Sequence, residues 1–185
     1  IYTAGAEKAG VTIHHQRARI ADDHTVELAD GTRLTAKHIL IAAGGRPALP
    51  GIPGQDLGLI SDDLFLLDEL PQRALVIGGG FIACEFATIL NGMGVGTVQA
   101  YRGDAVLRGF DRQLRDLATL QLGDVGVDLR LGLSPERLEK EGDRIVCHFD
   151  DGSSDTFDAV FFATGRAPYT DGLGLDNTGV RLKRN

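Results

Sequence analysis

Cysteine is scarce: Cys84 and Cys147 are two in 185 residues, far apart and each among apolar neighbours. That excludes a disulfide-stapled scaffold and points to a reduced, cytoplasmic setting. No apolar run approaches the length of a bilayer-crossing helix, so no membrane partner is expected. Positive charge is also short, with 19 Lys and Arg against 26 Asp and Glu and a net charge of −7. No basic cluster offsets this, so nucleic acid is not an expected partner. The opening Ile1-Tyr-Thr-Ala-Gly-Ala-Glu-Lys8 lacks the charged leader and apolar core of a signal peptide and reads as the tail of a helix. With no initiator Met, it suggests a piece of a longer chain. His14 and His15 are adjacent and would point to opposite faces of a strand, while His24 and His38 have no partner at ligand spacing. No metal site is expected.

What is present centres on Arg73-Ala-Leu-Val-Ile-Gly-Gly-Gly-Phe-Ile-Ala-Cys-Glu-Phe-Ala-Thr-Ile-Leu90. Residues 74–77 read as a buried parallel strand. Three glycines follow at once. Apolar residues then recur at Phe81, Ile82, Phe86, Ile89 and Leu90, a helical spacing. The turn has the pattern G-x-G-x-x-A on Gly78, Gly80 and Ala83. Gly78 permits a tight turn, Gly80 allows close approach of a pyrophosphate, and Ala83 lets the helix lie close on the strand. The helix N-terminus then offers N–H groups and a positive dipole end to phosphates. The alternative is a glycine turn that only packs.

Along the chain, residues 11–20 read as one or two strands and 25–28 as another. Asp30-Gly31 makes a hairpin turn, with 32–35 pairing back. The apolar run 37–43 is expected as a buried strand. Gly44-Gly-Arg-Pro-Ala-Leu-Pro-Gly-Ile-Pro-Gly54 is too rich in Pro and Gly for a helix or central strand and reads as a rigid connector. Ser61 is expected to cap a short helix, with Asp62 and Asp63 in its first turn. The helix after the glycine turn should run to about Leu90 and end at Asn91-Gly92. A strand at 97–101 follows, then a helix at 111–123 with Leu114, Leu117, Ala118 and Leu122 on one face. A strand at 127–131 precedes a hairpin, 144–149 with 154–157, about Asp151-Gly152. A last apolar strand, 158–164, leads into Gly165-Arg-Ala-Pro168, an echo of Gly44-Gly-Arg-Pro47. The expectation is an α/β fold: a Rossmann-like domain with a parallel sheet and a β-meander, inserted into strands of a second, split domain. The boundaries are 1–53, 54–164 and 165–185.

In a dinucleotide fold the end of the second strand selects the cofactor. An acid there bonds the ribose hydroxyl of NAD, and an Arg accepts the 2′-phosphate of NADP. Here the strand ends Gln99-Ala-Tyr-Arg-Gly-Asp104, with Arg102 at the tip and no acid. Arg108 follows, and Gly103 lets the loop curl. Two guanidinium groups suit one phosphate; two solvated surface arginines are the alternative. Asp104 is the discordant charge and is expected to point away. Glu85 either stabilises the helix dipole or faces a nicotinamide. Phe81 either covers the nicotinamide or packs. Cys84 reads as a packing residue rather than a redox thiol.

Four stretches now stand in order: Ile39-Leu-Ile-Ala-Ala-Gly-Gly-Arg-Pro47, Val76-Ile-Gly-Gly-Gly-Phe-Ile-Ala-Cys-Glu-Phe-Ala87, Tyr101-Arg-Gly-Asp-Ala-Val-Leu-Arg-Gly-Phe-Asp111 and Phe162-Ala-Thr-Gly-Arg-Ala-Pro168. Together they resemble the pyridine nucleotide–disulfide oxidoreductases. Through Ala83, Arg102 and Arg108 the nearest branch is the glutathione reductases. The resemblance spans nearly the whole chain but less than half of a complete member. It implies a homodimeric flavoprotein that passes a hydride from NADPH to FAD, then to an active-site disulfide, then to glutathione disulfide.

The resemblance implies NADP(H) contacts from Gly78, Gly80, Phe81, Ile82, Ala83, Glu85, Arg102, Arg108 and Gly165. Glu85 matches a nicotinamide-side carboxylate. Phe81 stands where the family often has a flavin-covering Tyr, keeping the ring and losing the hydroxyl. Ala43 replaces a frequent Thr. The split outer domain would belong to FAD. This sequence has no FAD glycine motif, no C-x-x-x-x-C pair, no later Gly-Asp flavin motif and no His-Glu pair. The chain alone is therefore expected to bind NADP(H), to bind no FAD and to reduce no disulfide. Its first 50 or so residues should leave an apolar face uncovered and favour self-association. The other readings are a dihydrolipoamide dehydrogenase or NAD(P)H-dependent metal reductase of the same family, and a stand-alone nucleotide-binding module.

Overall fold

The computed structural model describes residues 2–183. The chain divides into two units: residues up to Gly45 with those from Pro168 onward, and Arg46–Ala167. Ile1 of the expected helix tail and the last two residues of the 165–185 segment lie outside the described residues.

In the first unit, α1 (Tyr2–Lys8) precedes β1 (Ala18–Asp22), β2 (Thr25–Leu28) and β3 (Arg33–Thr35), an antiparallel meander. The β2–β3 turn forms where expected. Gly31 takes φ 85°, a left-handed conformation that suits glycine. The Asp30 carboxylate accepts the Thr32 N–H at 2.9 Å. A small core of Ile20, Leu28 and Leu175 is fixed by bonds from the Ile20 N–H to the Leu173 carbonyl and from the Asn177 amide to the Ile20 carbonyl.

Two expectations fail in this unit. The strand begins only at Ala18, and His14 and His15 lie before it, both exposed. Residues 37–43 form no strand, and Leu40 is 90% exposed. Apolar character alone does not make a strand; its backbone needs a neighbour to bond, and none of the three strands here pairs with this run.

The Gly-Arg-Pro echo has a structural meaning. Strand β4 (Gly45–Pro47) and the last strand, Arg166–Pro168, pair as a two-stranded sheet where the chain enters and leaves the second unit. A stretch expected only as connector thus includes a short strand. Helix α2 (Ser61–Leu64) is not capped by Ser61. The Asp63 carboxylate reaches back to the Ile60 N–H at 2.8 Å, so Ser61 is already inside the helix.

The second unit is an α/β fold with a parallel sheet. Strand β5 (Arg73–Ile77) leads into α3 (Phe81–Gly92), β6 (Gly96–Tyr101), α4 (Arg112–Asp124) and β7 (Asp128–Leu131). An antiparallel meander follows: β8 (Pro135–Glu141), β9 (Arg144–Phe149) and β10 (Ser154–Phe157). Strand β11 (Ala159–Phe162) returns to the parallel sheet, whose order is β11-β5-β6-β7, and β12 (Arg166–Pro168) leaves it.

The period-2 alternation of β5 explains the layering. Ala74 and Val76 face α3 with Ala83, Ala87 and Leu90. Leu75 and Ile77 face the meander with Leu138, Cys147, Phe149 and Phe157. Both faces are covered, as an apolar parallel strand requires. The helix faces differ from expectation. Helix α3 buries Ala83, Phe86, Ala87 and Leu90, leaving Phe81 and Ile89 exposed. Helix α4 starts after Asp111, whose carboxylate accepts the Gln113 N–H, and buries Leu122 while Leu114 and Leu117 stay exposed. It packs over β7, the sheet's edge strand, where only a narrow stripe of the helix is covered.

One ion-pair cluster ties β5 and β7 to β10. Arg73 makes two bonds to Asp155, and Arg130 donates to the same carboxylate at 2.9 Å. Arg73 holds the Asp155 carboxyl down at about 2, against an ordinary value near 3.8. A carboxylate depressed in this way stabilises the folded chain above its unfolded pKa and loses that contribution as pH falls through its folded pKa. That contribution is present in full above about pH 4 and is lost as pH falls through about 2. D155N should therefore destabilise the chain at pH 7 and differ little from the parent at pH 2, read by urea unfolding at both pH values. A cost equal at both would show that the carboxylate's charge is not the source.

Candidate functional site

The glycine turn forms between β5 and α3, and each glycine has its own reason. Gly78 sits at φ 143°, and a Cβ there would lie 2.3 Å from the Ala163 carbonyl oxygen and 3.3 Å from the Ala83 Cβ. Its carbonyl accepts the buried Gln99 amide of β6 at 3.0 Å. A Cβ on Gly79 would lie 2.4 Å from the Tyr101 ring. Gly80 is the N-cap of α3 and has open space where a Cβ would project. No side chain caps this helix, so its first N–H groups are left for a ligand.

The turn lines a cleft of about 560 Å³, within the range of small-molecule sites. Gly78, Gly79 and Gly80 form one wall with Tyr101. Arg102 and Arg108 line the same cleft, as do Leu49 and Pro50, Ser134 and Pro135, and Thr164 and Gly165. Among the described residues neither the Arg102 nor the Arg108 side chain has an ion-pair or hydrogen-bond partner. Both are exposed. The loop that carries them is fastened to the glycine turn: the Leu107 N–H donates to the Gly79 carbonyl at 2.6 Å, with Leu107 at φ 56°. A non-glycine residue at positive φ persists only where its surroundings hold it there.

Of the expected site residues, Gly78, Gly80, Arg102, Arg108 and Gly165 come together around the cleft. Ala83 lies behind the turn, fully buried against β5. Phe81 is 58% exposed and Ile82 half-buried on the first turn of α3. Glu85 is exposed and does not join the arginines. It lines a wider groove of about 780 Å³ with Cys84, Ile89 and Val125.

Cys84 is half-buried on α3, and burial raises its thiol pKa; Cys147 is buried in the meander, and burial pushes it up to about 12. Both stay protonated near neutral pH, and they belong to cores on opposite faces of the sheet. They are not a redox pair.

Sequence reasoning missed Gly79, Tyr101 and Gln99. Gly103 was expected to let the loop curl. It also leaves room for the Tyr101 ring, which lies 2.5 Å from where its Cβ would stand. Tyr101 is thus pressed between two glycines 24 residues apart in sequence, at 79 and 103. The visible signal was an aromatic residue two positions before a glycine, at the tip of the second strand.

Residues 2–185 match the family model described as pyridine nucleotide-disulphide oxidoreductase. The chain is similar to glutathione reductase of Burkholderia cepacia, 43% identical over all of this chain and 41% of that protein. It is similar to the chloroplastic/mitochondrial glutathione reductase of Pisum sativum, 38% identical over all of this chain and 34% of that protein. Trypanothione reductase of Leishmania donovani is 37% identical over 97% of this chain and 39% of its own length. Among solved structures, the HOCl-induced flavoprotein disulfide reductase RclA from Escherichia coli superposes with a TM-score of 0.86 at 25% identity, over 99% of this chain and 43% of that one. The chain spans about two fifths of the length of the curated relatives it matches.

Proposed function

The chain belongs to the pyridine nucleotide-disulphide oxidoreductase family, and we propose that it carries the NADPH-binding domain of a flavoprotein that reduces glutathione disulfide. The domain is residues 54–164, with 1–53 and 165–185 contributing to a split FAD domain. One observation carries the cofactor reading: two unpaired arginines, Arg102 and Arg108, share a cleft with the uncapped N-terminus of α3. The helix N-terminus and Gly80 suit a pyrophosphate, and the arginines suit a 2′-phosphate.

Bound NADPH would supply a hydride. The chain's own residues bind and orient: Gly78 shapes the turn, Gly80 leaves space, Ala83 seats the helix, and Gly165 lines the same cleft. Phe81, Ile82 and Glu85, on the opening turns of α3, are assigned to the nicotinamide side. FAD, the redox disulfide and the glutathione disulfide contacts are assigned to parts of the enzyme outside this chain, which is proposed to act as a homodimer in the cytoplasm.

Calorimetric titration tests the reading. NADPH should bind at least ~100-fold more tightly than NADH, because only NADPH presents a phosphate to the two arginines. Equal affinities would remove the assignment of Arg102 and Arg108 and favour a dihydrolipoamide dehydrogenase-like, NAD-linked member of the family.

A further inference from the structure

We propose that Arg112 and Arg115 of α4 are specificity-determining positioning residues: they hold Asp104 away from the phosphate site between Arg102 and Arg108. The inference rests on the NADPH reading above.

Asp104 lies in the loop between the two free arginines, two residues after one and four before the other. A bare carboxylate there would repel a 2′-phosphate, or take one of the arginines for itself. Neither happens, because both its oxygens are occupied. Arg112 donates to one at 2.6 Å and Arg115 to the other at 3.3 Å. Arg112 is also paired with Asp116 at 2.8 Å.

Exposed ion pairs are usually weak because long side chains must be ordered to make them. Arg115 is the exception here. Its side chain is only 16% exposed and is already fixed by donation to the Val106 carbonyl at 3.0 Å and the Ala105 carbonyl at 2.9 Å. The guanidinium is therefore in place before Asp104 arrives. Both arginines hold the acid, and Arg115 also fastens the backbone just before Arg108. The Arg102 and Arg108 side chains stay available because two other arginines satisfy the only acid between them.

A double-mutant cycle on the 185-residue chain, read by NADPH and NADH titration, separates this from a general effect of positive charge. R112Q/R115Q should weaken NADPH about tenfold and NADH by less than about twofold. D104N alone should change NADPH affinity by less than about twofold, since its charge is already matched. In the R112Q/R115Q background, D104N should restore most of the tenfold loss. The proposal is overturned if D104N gives the same factor in both backgrounds, or if the loss falls equally on NADPH and NADH.

R112Q alone guards against loop disorder. The Arg112 side chain is exposed and makes no bond to backbone among the described residues, so this variant should fold normally, lose about threefold in NADPH affinity and recover with D104N. An R112Q loss that D104N does not recover also overturns the proposal. A parent protein that binds both nucleotides equally fails the NADPH reading itself; a parent that prefers NADPH but shows no coupling fails only the role of Arg112 and Arg115.

Discussion

Changing Arg102 to Glu and Arg108 to Leu is expected to weaken NADPH binding about 100-fold or more, and to leave NADH bound as well as before or better. A hydrogen bond to a charged group contributes roughly 1.5–3 kcal/mol. Two arginines on one phosphate supply about 3–5 kcal/mol after screening at an exposed loop, and each ~1.4 kcal/mol is tenfold in affinity. The structure adds a reason not to discount the figure further. Neither side chain must leave a protein partner to reach the phosphate, and the loop is already tied to the glycine turn through Leu107. Glu at position 102 repels the phosphate and offers the ribose hydroxyls of NADH an acceptor. The parent's preference should also shrink with salt, because screening acts over about 8 Å at physiological ionic strength. Calorimetry of both nucleotides at low and high salt reads all of this. A variant that keeps the parent's NADPH preference would show that the phosphate sits elsewhere.

The parts legible in the sequence are those written locally. Residues 73–92 declare strand, turn and helix because each period and each glycine lies within its own short window. The place of Arg102 and Arg108 beside the glycine turn was legible for the same reason: they follow the second strand closely, and both line the cleft. What was missed depends on distant partners. Strand β8 (Pro-Glu-Arg-Leu-Glu-Lys-Glu) is charged and buries only Leu138; it is a strand because β9 bonds it along its length. Residues 37–43 are the converse, an apolar run with no neighbour to bond. Asp104 read as a discordant charge that could point away. What it points to, Arg112 and Arg115, lies on the next helix and shows only once α4 is docked. The Tyr101 ring between Gly79 and Gly103 is likewise a contact that no single window contains.

Alanine at Gly78 and alanine at Gly80 should have opposite consequences. At Gly78 the backbone stands at φ 143°, where side chains are strained, and the new Cβ would lie 2.3 Å from the Ala163 carbonyl oxygen. That obstacle is backbone of the segment leaving β11, which is itself paired with β5, so it has little freedom to retreat. Strain of about 1–3 kcal/mol and overpacking of about 1–3 kcal/mol add to a large fraction of a domain's stability. At about 2–4 °C per kcal/mol, G78A should lower Tm by roughly 5–20 °C. Gly80 differs in each respect. Its φ is −82°, and nothing stands within 4 Å of the added Cβ. G80A should cost under about 1 kcal/mol, the modest loss expected for Ala at an N-cap. Its methyl group instead enters the space from which a pyrophosphate would meet the helix N-terminus. Affinity for NADPH and NADH should therefore fall together, by about tenfold or more, since both carry that group. Thermal melts and titrations of the two variants decide the matter. If G80A melted as early as G78A, or bound both nucleotides as the parent does, the space beside Gly80 would not be where the cofactor lies.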